Sequence, residues 1–129
     1  MRLGPLPSWL MSLAEKVHRL EVMSKVPDQA IANEYEPGQG ISRHIDCVPC
    51  FGPVIASLSL GSACNIAFSA PGGRVVEKTL DHRSLLVLSG PARYDWSHCI
   101  PGRKSDMIQN VRVARSRRVS LTFRTVLLD

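Results

Sequence analysis

The sequence predicts a mainly β fold behind one N-terminal helix. Three features carry that reading: one amphipathic stretch at residues 8–23, short strand-like runs recurring from residue 30 onward, and Gly- and Pro-rich turns between them. Short strands at intervals of about 8 to 12 residues favour a sandwich, jelly roll or barrel over a parallel βαβ sheet. A chain of 129 residues builds a single core, so residues 1–129 are read as one domain.

In the stretch SWLMSLAEKVHRLEVM, Trp9, Leu10, Leu13, Val17 and Leu20 recur at spacings of three and four, with Ser8 placed to cap the helix and His18 on its surface. Pro27 and Asp28 close this region. Strands are expected at 30–35, 42–47, 54–60, 63–68, 74–79, 84–89, 93–99 and 117–126. The run SLLVLS at 84–89 is apolar throughout and reads as a central strand, whereas the last strand alternates polar and apolar residues. The polar, basic stretch 101–116 reads as a mobile surface loop.

Sixteen basic residues against 11 acidic ones, with a pI near 9.4, favour polyanionic partners. No apolar run reaches the roughly 18 to 20 residues that span a bilayer, and no signal pattern opens the chain. A cytoplasmic protein, monomeric and not membrane-bound, is therefore expected. In that compartment Cys47, Cys50, Cys64 and Cys99 are expected to be reduced thiols.

The stretch HIDCVPC at 44–50 admits two chemistries. On a strand, His44 and Asp46 point to one face about 7 Å apart and can grip a metal. His98 offers a third ligand, with Trp96 and Tyr94 on its face to wall a pocket. Two histidines and a carboxylate leave half of an octahedron open, as in non-haem Fe(II) oxygenases. Asp81 and His82 are adjacent, would point to opposite faces, and are assigned to a loop. Cys47 and Cys50 form a CxxC, but no second such pair completes a four-cysteine zinc site, so zinc or redox use is the lesser reading. In the last strand Arg118, Ser120, Thr122 and Arg124 share a face that must look into solvent or a polar cavity. A buried guanidinium there would need a carboxylate, which a dicarboxylate cosubstrate supplies. Asn33 and Tyr35 could donate to the same ligand.

Taken in order, NEYEPGQGI at 33–41, HID at 44–46, His98, and the RxxxTFR of Arg118 to Arg124 resemble the signature of the AlkB family of Fe(II)- and 2-oxoglutarate-dependent dioxygenases. The resemblance implies a double-stranded β-helix (jelly roll) core. It also implies Fe(II) on His44, Asp46 and His98, and 2-oxoglutarate held by Asn33, Tyr35 and Arg118, with Arg118 at the distal carboxylate and Arg124 near the iron-bound end. The chain begins at about the helix that follows the family's nucleotide-gripping lid, so that lid is expected to be missing. Cys47, Val48 and Pro49 stand where the family's repair enzymes tend to carry acidic residues. The expected function is O2-dependent removal of alkyl groups from DNA or RNA bases. The alternatives are hydroxylation of a tRNA wobble-uridine modification, or a lidless jelly roll that binds a metal or partner without turnover. Arg103, Lys104, Arg112, Arg115 and Arg117 either hold phosphates beside the pocket or form a solvated loop.

Overall fold

A computed structural model describes residues 5–127. Helix α1 (Ser8–Arg19) precedes strands β1 (Gln29–Tyr35), β2 (Ile41–His44), β3 (Ile55–Gly61), β4 (Cys64–Ser69), β5 (Val75–Leu80) and β6 (Leu85–Leu88). A short helix α2 (Pro91–Tyr94) follows, then β7 (Ser97–Ile100), β8 (Ser105–Ile108), β9 (Val111–Ala114) and β10 (Arg118–Arg124). The strands pair antiparallel into two four-stranded sheets, β1-β10-β3-β6 and β2-β7-β4-β5, with β8-β9 as a separate hairpin.

Strand alternation sets the layers. Ile55 and Leu88 of the first sheet meet Ile66, Phe68, Leu80 and Ile100 of the second in one apolar cluster, so the two sheets face each other as a jelly-roll sandwich. On the outer face of the first sheet, Ala56, Leu121 and Phe123 pack against Leu10, Ala14 and Val17 of α1. The helix is thus an outer layer. Its buried residues fall at i, i+4 and i+7, as an amphipathic stripe requires.

Several expectations need correction. The helix stops at Arg19 rather than residue 23, and Trp9 and Leu20 are exposed rather than core. Its N-cap is Pro7, and no side chain caps it; Ser8 is already helical. The strand expected at 93–99 is split: 91–94 form α2, because Pro at the first helical position favours a turn of helix, and only Ser97–Ile100 pair. The run 84–89 is an edge strand, not a central one. It is apolar on both faces because Leu85 packs toward the α1 layer while Leu86 and Leu88 pack between the sheets. The stretch 101–116 is no mobile loop: β8 and β9 pair in register around a buried ionic network.

Candidate active site

The inner face of the first sheet is polar toward β1 and apolar toward β6. Register brings Arg118 beside Tyr35, and Ser120 between Asn33 and Ser59. Thr122 lies opposite Ser57, its hydroxyl 3.2 Å from the serine's. All of these but Ser59 line a cavity of about 470 Å³ that also reaches His44, Asp46 and His98 on the opposite side. The polar face of β10 therefore looks into a cavity rather than solvent.

His44 of β2 is paired across the ladder with His98 of β7, so the two rings lie 4.4 Å apart between centroids. β2 ends at His44, earlier than the expected 42–47, and Asp46 stands past its end. The carboxylate nonetheless turns inward and is buried. Its Oδ1 lies 3.2 Å from His44 Nε2 and 3.6 Å from His98 Nε2, while Oδ2 pairs with Arg124 Nη2 at 3.1 Å. Ligand atoms of the three residues all lie within 4.8 Å of one another, a set that could hold a metal ion. His82 is elsewhere, accepting the Gly61 N–H through Nδ1 in the turn before β6, as its loop assignment expected.

The electrostatics suit a cation and an acid. His44 Nδ1 lies 2.8 Å from the Ser42 carbonyl, to which it donates, leaving Nε2 with its lone pair for the cavity. Burial lowers the His98 pKa, with the neighbouring His44 imidazole adding to the shift and Asp46 opposing it, which favours the neutral form a metal needs. Arg118 is only 5% exposed, lies over the Tyr35 ring and donates one bond, from Nη2 to Ser59 Oγ. Its Nε and Nη1, and Nε of Arg124, are buried with no hydrogen-bond partner. Buried donors left unpaired are costly, so a cavity that collects them suits a carboxylate ligand. The donor set and the orphaned guanidinium groups fit Fe(II) and 2-oxoglutarate.

Not every expected residue joins the site. Trp96 packs against the core between the sheets and Tyr94 is exposed on α2; neither lines the cavity with His98. Cys47 and Cys50 are a disulfide rather than free thiols, because the turn after Asp46 brings their Cα atoms to 5.2 Å. Cys64 and Cys99 are free. Of the basic residues in 103–117, Arg115 is buried on Asp106, Arg103 bonds Asp106 and Glu77, and Arg117 pairs with Glu34. Sequence reading missed Ser57 and Ser59, whose alternation with leucine in IASLSLG mirrors that of β10 and was the available signal. It also missed Arg93, for which no local pattern gave notice.

Two facing antiparallel sheets around a His-Asp-His cluster and an arginine-lined cavity define a jelly-roll oxygenase fold. The family profile described as the 2OG-Fe(II) oxygenase superfamily matches residues 2–124, and the chain belongs to that family. Within it the AlkB-like branch is the match. Over 106 residues the chain is 45% identical to mouse "tRNA (carboxymethyluridine(34)-5-O)-methyltransferase ALKBH8", covering 82% of this chain and 16% of that protein. It is 35% identical to the Arabidopsis thaliana "Alkylated DNA repair protein ALKBH8 homolog", covering 97% of this chain and 43% of that one. The chain thus spans less than half the length of either relative. The solved structure of OsALKBH1 superposes with a TM-score of 0.67 at 18% identity, over 93% of this chain and 66% of that one, which shows the shared fold. Membership implies Fe(II) and 2-oxoglutarate. Among the described residues no helix is long and apolar enough to cross a membrane.

Proposed function

We propose that residues 1–129 form the catalytic domain of an Fe(II)- and 2-oxoglutarate-dependent dioxygenase that acts on a modified base in nucleic acid. The observation that carries this reading is Arg118: a buried guanidinium whose Nε and Nη1 have no partner, on a residue that lines the cavity reaching the three candidate ligands. A purely structural arginine spends its donors on carboxylates or carbonyls of the fold, as Arg115 does on Asp106 and Pro101; among the described residues this one donates to a serine hydroxyl alone.

In this reading His44, Asp46 and His98 hold the metal. Arg118 takes the distal carboxylate of 2-oxoglutarate as a fork, and Asn33 and Tyr35 donate to the same molecule. Arg124 grips Asp46 Oδ2, which fixes the carboxylate and leaves Oδ1 beside the two imidazoles. Ile55, Ile66, Leu80 and Leu88 line the cavity's apolar side and exclude water from it. Together, Fe(II) and 2-oxoglutarate supply an O2-derived oxidant for a substrate C–H bond, with succinate and CO2 as coproducts. The protein's own work is to bind, orient and keep the site dry. A base reaches such a pocket only when flipped out or single-stranded.

Two substrates fit this chemistry. Hydroxylation of an N-alkyl group gives a hemiaminal that releases an aldehyde and restores the base, whereas hydroxylation of a carbon side arm leaves the hydroxyl in place. The relative named for tRNA carboxymethyluridine at position 34 supports a tRNA substrate, on which the second outcome is proposed; the relative named for alkylated DNA repair supports the first. Anaerobic loading followed by O2, with succinate and formaldehyde measured beside methylated oligonucleotide or tRNA, separates them. Succinate raised by tRNA without formaldehyde, and lost in His44→Ala and Arg118→Ala, is the expected result. Formaldehyde with methylated oligonucleotide selects dealkylation, and no succinate from the folded, metal-loaded protein overturns the reading.

A further inference from the structure

Asp46 poses a positional problem. β2 ends at His44, so the β2–β7 ladder does not extend to Asp46, whose backbone is irregular. A carboxylate meant to meet two imidazoles at one point must still be held to a fraction of an ångström. Arg124 pairs with the carboxylate itself; the backbone that carries it is held by Arg93, a residue outside the cavity lining.

Arg93 sits on α2, is 1% exposed, and spends its donors on backbone carbonyls of the loop that carries Asp46. Nη1 donates to the Asp46 carbonyl at 2.8 Å, Nη2 to those of Cys47 at 3.1 Å and Phe51 at 3.3 Å, and Nε to that of Gly52 at 3.1 Å. Its guanidinium lies 4.9 Å from the Tyr94 ring centroid. Among the described ion pairs it has no carboxylate, so a buried charge is compensated by carbonyl dipoles alone. Burying a charge this way is costly unless every donor is well used. The guanidinium replaces the missing ladder. A planar fork reaches carbonyls that a lysine's point charge cannot gather together.

The same side chain also links two ligands. α2 leads directly into β7, which carries His98 five residues after Arg93. The chain's departure toward Asp46 and its approach to His98 are therefore tied at one buried residue. The Cys47–Cys50 disulfide lies in the same loop but constrains only its four-residue turn. It bonds nothing outside the loop, whereas Arg93 anchors the loop to α2.

We infer that Arg93 is the positioning residue for the metal site, setting the place of Asp46 through the 46–52 backbone. This rests on the metal-site reading above. The test uses the full chain with Co(II) in place of Fe(II). Wild type should bind Co(II) in a way abolished by His44→Ala and Asp46→Ala. Arg93→Lys, folded by circular dichroism, should bind it at least about tenfold more weakly, with altered visible bands. In the metal-free Arg93→Lys protein, the Cys50 and Phe51 amides, which donate to the Cys47 carbonyl, should exchange at least about tenfold faster while β3 amides keep their rates. Leu13→Ala, which loosens α1 on the opposite side of the first sheet, should lower the melting temperature without moving the Co(II) affinity. Should Arg93→Lys fail to fold, Tyr94→Ala, at an exposed residue stacked on the guanidinium, takes its place with a weakening of at least threefold expected. Unchanged Co(II) affinity and unchanged loop exchange in the folded variant overturn the inference while leaving the metal site standing. A wild type that binds Co(II) independently of His44 and Asp46 overturns both.

Discussion

Arg115 and Arg118 are three residues apart, both buried, and opposite in what they do. Arg115 Nε and Nη2 grip the two oxygens of Asp106, and Nη1 donates to the carbonyls of Pro101 and Gln39. Arg118 donates to one serine and leaves Nε and Nη1 unpaired beside the cavity. The first is a strut for the β8-β9 hairpin, complete within the protein. The second is incomplete without a ligand. A buried charge with all donors used stabilises the fold, and one with donors to spare predicts a guest.

The largest expected effect comes from breaking the complete arginine. Asp106→Ala leaves Arg115 buried and uncompensated, and should lower stability in urea unfolding by about 3–5 kcal/mol. A loss below about 1 kcal/mol, the size of an exposed pair, would mean that this network is not a strut. Arg118→Met should behave in the opposite sense. Stability is expected to hold or rise, because unpaired buried donors disappear, while 2-oxoglutarate affinity falls by about 2–3 kcal/mol, or roughly 30- to 150-fold, read by calorimetry in the presence of Mn(II). A large stability loss with intact binding would reverse the comparison.

Acid should sharpen the contrast at the strut. Burial opposes ionisation of Asp106, but the bonds from Arg115 and Arg103 outweigh it and hold the carboxyl below its usual value. Native Asp106 therefore binds fewer protons than its unfolded form. Its contribution is fully present above the usual value of 3.8 and is lost as pH falls through the lower native one. Amide protection in β8 and β9 should persist at pH 5 and fade only below 3.8. Fading well above that value would mean that another group governs the hairpin. The smallest effect is expected from reducing Cys47–Cys50. Because Arg93 anchors the same loop independently, Co(II) affinity should change less than about threefold, or about 0.7 kcal/mol. A larger change would make the disulfide the principal brace.

Much of the site was legible because its signals are local. HID puts two ligand types two residues apart, and RVSLTFR alternates strictly, so the polar face of β10 could be listed from the sequence. The errors cluster where local pattern is silent or misleading. The apolar run 85–88 looked central because both faces are covered, yet one face meets the α1 layer and the strand is an edge. The basic run 103–117 was open to phosphate binding or solvation, and the ion pairs of Arg103, Arg115 and Arg117 were not foreseen because two of their carboxylate partners, Glu77 and Glu34, are distant in sequence. Tyr94 and Trp96 were assigned to the face of His98 by a strand period that Pro91 and α2 interrupt.

The sequence by itself determined which residues alternate, where the helix lies and which side chains have metal or carboxylate chemistry, since these follow from neighbours in the chain. Only the tertiary structure decided which arginine is spent and which is free, that Trp96 and Tyr94 stand away from His98, and that Arg93 holds the Asp46 backbone. Those outcomes depend on register and burial between segments far apart in sequence. The favourable pairing of a guanidinium is set by whichever carboxylate, carbonyl or cavity the folded chain brings against it.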